Sequence, residues 1–204
     1  FHAFPLLFVL LPVFFLVLDQ SRTLRRAAWD GFFFGYGYFM AGTYWIAIAL
    51  TVDATKFGWM IPLSLFGLSA VFALYFALFG FLYHRFKFTH PLANLLWFAV
   101  LWVLIEYLRS YGIFGFPWNL IGYSLVPVPP LLQSASIVGI YGLSLLAVLI
   151  GLMPLSFLAT SMRRARSLGY ATLALCGVLA AYGIYYQQSP SELASDPVRL
   201  RLVQ

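Results

Sequence analysis

Six long apolar runs, separated by short basic or breaker-rich gaps, occupy most of the sequence: Phe4 to Leu18, Gly31 to Leu50, Gly58 to Tyr83, Leu92 to Leu108, Leu131 to Leu158 and Leu168 to Tyr186. A helix needs about 20 apolar residues to cross the hydrocarbon layer of a bilayer, and these runs meet or approach that length. The first and fourth are the short ones, which tilt, extension of the helix or local thinning of the bilayer would accommodate. A water-soluble globule is excluded by composition. The chain is 63% hydrophobic and 9% charged, whereas roughly a quarter of a soluble domain is charged. The expected fold is therefore all-α, a polytopic transmembrane bundle of about six spanning helices over residues 1–186. Pro62 and Pro154 fall inside runs, where they should kink or begin helices, as membrane helices tolerate.

The net charge of +6 does not point to nucleic acid, because the basic residues lie in the gaps between apolar runs. Arg22, Arg25 and Arg26 occupy the first gap, Arg85 and Lys87 the third, and Arg163, Arg164 and Arg166 the fifth. The second gap has only Lys56 and the fourth only Arg109. Positive residues accumulate on the cytoplasmic side, so loops 2 and 4 and the C-terminal end are expected outside the cytoplasm. The N-terminus is then also outside, yet FHAFPLLF lacks the basic start of a signal peptide. A preceding helix is therefore expected.

Beyond Tyr186 the character changes. Residues 187–197 (QQSPSELASDP) read as a polar linker. Residues 198–204 (VRLRLVQ) alternate apolar and basic residues, the period of a half-buried strand. They are expected to open an extracytoplasmic domain whose remainder lies past Gln204. The single cysteine, Cys176, lies in an apolar run, and His2, His84 and His90 show no ligand spacing. No metal and no cofactor are expected.

Ionisable residues inside a span are costly and are candidates for function. Glu106 is the one carboxylate well inside an apolar run, and Arg109 follows three residues later on the same helix face. The pair is read either as an ion-pair latch near the outer interface or as a holder of a substrate head group. Asp30, at the entry to the second run, is read as a helix N-cap. The fourth gap, RSYGIFGFPWNLIGYSLVPVPP, is too apolar for a solvated loop and too rich in Gly and Pro for a spanning helix. It fits a re-entrant or interfacial segment packed on protein. Tyr111, Trp118 and Tyr123 could be interfacial anchors, or Phe116, Trp118 and Tyr123 could line a path for acyl chains. Gly31, Gly35 and Gly37 form a small-residue face in the second helix. Trp45, Glu106, Arg109, the fourth gap and Gln133 converge on the outer leaflet. No Ser–His–Asp set, HExxH or phosphate loop is present.

Three stretches carry a family resemblance: AAWDGFFFGYGYFMAGTYWIAIAL, WVLIEYLRSYGIFGFPWNLIGYS and LLQSASIVGIYGLSLL. In this order, followed by VRLRLVQ, the chain resembles bacterial apolipoprotein N-acyltransferases. The E-x-x-R followed by G-F-P-W and G-Y-S is the more specific part. The resemblance implies a multi-pass protein of the bacterial inner membrane, with a periplasmic α/β domain of nitrilase-like fold starting near Val198. It implies an acyl chain taken from a phospholipid and held as a thioester on a cysteine. That chain is then passed to the N-terminal amine of a diacylated apolipoprotein. The implied Glu–Lys–Cys catalytic set belongs to the nitrilase-like domain, so none of it is expected in this chain, and Cys176 is not the nucleophile. By resemblance Trp118 is the foremost lipid-contact candidate, followed by Phe116, Glu106, Arg109 and Tyr123. Two other readings of the residues are a small-molecule transporter, which should show repeats and broken midplane helices, and a structural anchor.

Overall fold

Lipid offers no hydrogen bonds to a peptide group, so the apolar runs satisfy their backbone internally as helices. The computed structural model describes residues 4–112, 115–158 and 165–188, and no strand occurs among them. Six long helices organise the bundle: α1 (Leu7–Gln20), α2 (Leu24–Ala49), α3 (Leu68–Arg85), α4 (Pro91–Tyr111), α5 (Ala135–Gly151) and α6 (Arg166–Gln188). With their short extensions, five helical segments are long and apolar enough to span: Leu24–Phe57, Met60–Arg85, Pro91–Tyr111, Ala135–Leu158 and Arg166–Gln188. The first, Phe4–Gln20, is shorter, as the sequence predicts. The protein is an all-α, multi-pass membrane bundle. The candidate strand at 198–204 and most of the linker lie outside the described residues, while α6 runs on through Gln187 and Gln188.

Helix α2 starts earlier than its apolar run. Thr23 caps it, its hydroxyl accepting from the Arg26 backbone N–H at 3.1 Å. Asp30 is therefore not the cap. It lies in the second turn, ion-paired with Arg26 at 2.9 Å and accepting from the Ser21 hydroxyl at 2.8 Å.

The buried residues of α2 recur every fourth position: Ala27, Gly31, Gly35, Phe39 and Thr43. This is the small-residue spacing that lets membrane helices approach closely. A Cβ on Gly31 would strike the Phe76 carbonyl of α3, and one on Gly80 would strike the Ala27 carbonyl of α2. Gly37, by contrast, has nothing within 4 Å of a built Cβ, so it is not part of this seam.

Pro62 and Pro154 each mark an irregularity, whereas Pro12 lies within α1. Pro62 ends a short helical turn and leads into a π-helical stretch, Leu63–Gly67, before α3. Pro154 lies in a separate short helix, Met153–Leu158, after α5. An additional break, at Gly139 (φ 66°), interrupts α5.

The middle of the bundle is aromatic. Phe76 rings lie 5.0 Å from Trp102 and 5.6 Å from Tyr38, and Phe79 lies 5.0 Å from Phe98. Where α1 and α3 end, Lys87 pairs with Asp19 at 2.9 Å and the Tyr83 hydroxyl donates to the same carboxylate at 3.1 Å. Asn94 holds the following turn through the Phe88 N–H and carbonyl, at 2.7 and 2.9 Å.

Candidate functional site

At the other end of the bundle, α4 stops at Tyr111 and the chain does not regain a long helix until Ala135. Between them lie an irregular stretch at 115–120, a 3-10 turn at Ile121–Leu125 and a short helix at Pro129–Leu132. Nonhelical backbone at this depth needs partners from protein. Five side-chain contacts provide them.

Arg109 Nη1 donates to the carbonyls of Phe116 and Trp118, both at 2.7 Å. The Tyr38 hydroxyl of α2 donates to the Asn119 carbonyl at 2.7 Å. Glu106 Oε1 accepts from the Ile121 backbone N–H at 2.7 Å. The Ser144 hydroxyl of α5 accepts from the Gly122 N–H at 3.1 Å. Trp102 Nε1, one turn before Glu106, also donates to Glu106 Oε1, at 3.2 Å. Asn119 sits at the crest with φ 57°, a left-handed conformation that Asn tolerates better than most residues.

Glu106 and Arg109 are 3% and 1% exposed. They do not form the ion pair their spacing allows. Among the described residues the ion pairs within 4.0 Å are Arg26–Asp30 and Lys87–Asp19. The reason is chemical: each charged group meets backbone dipoles of opposite sign. The Arg109 guanidinium is also flanked by the rings of Phe39 and Phe116, at 5.2 and 5.8 Å.

The aromatic candidates separate into two kinds. Phe116 turns inward, with its ring 4.4 Å from Phe72 of α3. Trp118, 5.1 Å from Phe116, is 54% exposed, and Tyr123 is 49% exposed. A second outward group, Tyr107, Tyr111 and Tyr141, packs ring to ring along α4 and α5. Trp45 is 42% exposed on α2, whereas the bonds of Gln133 are local, its carbonyl accepting from the Ser136 hydroxyl. Tyr38, Trp102 and Asn119 are not singled out as site residues by the sequence, whereas Ser144 is one of the polar residues gathered in the outer half of the fifth apolar run. Trp102 leaves a signal in its spacing of one turn from Glu106.

Helical rise places the tethers within the bundle. At about 1.5 Å per residue, Tyr38 lies roughly 21 Å along α2 from Leu24, and Glu106 roughly 22 Å along α4 from Pro91. The tethered loop thus sits well below the far end of α2, which continues to Ala49.

A family model described as the apolipoprotein N-acyltransferase N-terminal domain matches residues 1–153, which include the whole tethered loop. The chain belongs to the apolipoprotein N-acyltransferase family. It is 40% identical over 184 residues to the apolipoprotein N-acyltransferase of Allorhizobium ampelinum, covering 90% of this chain and 34% of that protein. It is 39% identical over 213 residues to that of Rhodopseudomonas palustris, covering 100% of this chain and 39% of the relative. The Brucella melitensis protein of the same name is 42% identical over 159 residues, covering 74% of this chain and 30% of the relative. The chain thus spans about a third of the length of these N-acyltransferases.

Proposed function

We propose that this chain is the membrane part of an enzyme that N-acylates apolipoproteins, with a phospholipid as acyl donor. In that reaction a cysteine thiolate attacks the donor's ester carbonyl, forming a thioester and releasing a lysophospholipid. The diacylglyceryl-cysteine amine of the apolipoprotein then attacks the thioester, and the thiol is regenerated. The cysteine and its Glu and Lys partners are assigned to the region of the full-length protein beyond Gln204. The membrane part contributes proximity, presenting both lipids to that region.

The observation that carries this reading is an exposed indole on a fixed backbone. Trp118 projects from a loop whose carbonyls and amides are held by buried side chains. Trp118 and Tyr123 are the residues proposed to touch acyl chains. Phe116 is the loop's inward anchor, and Glu106 and Arg109 act behind the contact surface. In the full-length protein, Trp118→Ala should slow thioester formation about tenfold while the protein stays folded. Wild-type thioester formation by this variant would remove the assignment.

The proposal includes an orientation in the bacterial inner membrane, with loops 2 and 4 periplasmic. Thr55 and Thr89 are exposed in the second and third loops. In cells, Thr55→Cys should react with a membrane-impermeant thiol reagent from outside, and Thr89→Cys only after the membrane is opened. The reverse pattern would overturn the orientation and, with it, the proposed reaction at the outer leaflet.

A further inference from the structure

Buried charge in a membrane span calls for an explanation, and the lipid-contact reading does not supply one for Glu106 and Arg109. We infer that these two residues, with Tyr38 and Ser144, form a backbone clamp that positions Trp118 for acyl transfer. They do not act as an ion pair or as ligands of the lipid. The inference rests on the proposed role of Trp118 and adds the residues that set its place.

The two charges hold opposite limbs of one loop. Arg109 takes the limb entering the crest, through the carbonyls of Phe116 and Trp118. Glu106 takes the limb leaving it, through the Ile121 N–H. Tyr38 holds the carbonyl of Asn119 between them, and Ser144 holds Gly122 beyond. Side chains of three helices therefore fix the peptide groups on both sides of an exposed indole. Donors must face the carbonyls and acceptors the amides, so the chemistry is not symmetric. Exchanging the two charges would leave the Phe116 and Trp118 carbonyls and the Ile121 N–H facing the wrong kind of partner.

That asymmetry separates a clamp from a latch. An ion pair survives the double exchange Glu106→Arg with Arg109→Glu, and a clamp does not. The neutral Glu106→Gln keeps an acceptor for Ile121. The bonds from Ile121 and Trp102 both end on Glu106 Oε1, which the amide oxygen of a glutamine can replace. Arg109→Lys keeps a donor, whereas Arg109→Met keeps none.

The test uses full-length enzyme in nanodiscs of defined phospholipid. It measures thioester formation against donor concentration and hydrogen exchange of the amides at 116–122. Arg109→Met should slow thioester formation about tenfold and speed exchange across the loop. Glu106→Gln should remain within about threefold of wild type, Arg109→Lys should recover much of the loss, and the charge exchange should be as slow as Arg109→Met. Combining Arg109→Met with Trp118→Ala should be no slower than the slower single variant, because both disable one contact. Recovery on charge exchange, or multiplying effects in the double variant, would overturn the clamp. A slow Trp118→Ala beside a wild-type Arg109→Met sinks the clamp and leaves the lipid contact standing. The opposite result sinks the lipid contact and leaves the tethering of the loop standing. If Arg109→Met does not fold, Tyr38→Phe and Ser144→Ala decide instead: faster loop exchange with slower thioester formation supports the clamp, and no change in either variant overturns it.

Discussion

The α2–α3 seam and the tethered loop hold the same bundle together by opposite means. Along the seam both partners are helices whose peptide groups are already satisfied, so nothing polar is needed between them. Contact depends on removing side chains, and Gly31, Gly35 and Gly80 let backbone and ring approach directly. At the loop the backbone is not helical, and turn bonds such as Phe116 N–H to the Arg109 carbonyl satisfy only some of its peptide groups. Buried Glu, Arg, Tyr and Ser stand where the others would be orphaned. In lipid, burial of apolar surface gives little drive for helix association. Shape governs where the backbone is regular, and hydrogen bonding governs where it is not.

The contrast can be broken at its strongest point first. Gly80→Leu should be the most damaging change, because even its Cβ meets the Ala27 carbonyl. A loss above about 3 kcal/mol is expected, as for severe overpacking, seen as a fall of about 10 °C in thermal unfolding or as failure to purify monodisperse. A mild effect would mean that the seam is looser than its geometry.

Glu106→Leu comes next. It leaves the Ile121 N–H and the Trp102 indole N–H without their acceptor, at a cost of about 2–3 kcal/mol. Glu106→Gln should cost under about 1 kcal/mol. Equal losses in the two variants, measured by the same melts, would show that charge rather than acceptor geometry matters.

Ser144→Ala removes one tether and should cost about 1 kcal/mol, within the range of interhelical hydrogen bonds in membranes. Gly37→Ala should be the smallest, within about 0.5 kcal/mol, since nothing lies near its added methyl. A Gly37 variant as unstable as Gly80→Leu would erase the distinction between seam and surface glycines.

What the sequence reveals follows the same division. Apolar length identifies the spans, and the small residues at every fourth position of α2 mark the seam, because both are properties of one segment read along itself. Gly37 misleads, since three glycines close in sequence need not share a face once the helix turns 100° per residue. Asp30 misleads as a cap because Thr23, seven residues earlier and outside the apolar run, has the better-placed hydroxyl. The breaker-rich loop is legible as nonhelical from its Gly and Pro content. Its partners are not legible, because side-chain bonds to backbone leave no complementary residue to read. Glu106 and Arg109 look like each other's partner until the fold shows the peptide groups of residues 116–121 competing for both. Gly139 gives no warning of its break in α5, as many membrane helices carry glycine without one.

Tyr38 and Trp45 are separated by seven residues, close to two full turns, so they lie on one side of α2 about 10 Å apart along its axis. Tyr38 grips the crest of the loop, which puts Trp45 directly overhead. The loop is thus a sill, and the upper third of α2 is a jamb rising from it. A molecule resting on the sill would have that helix along one flank.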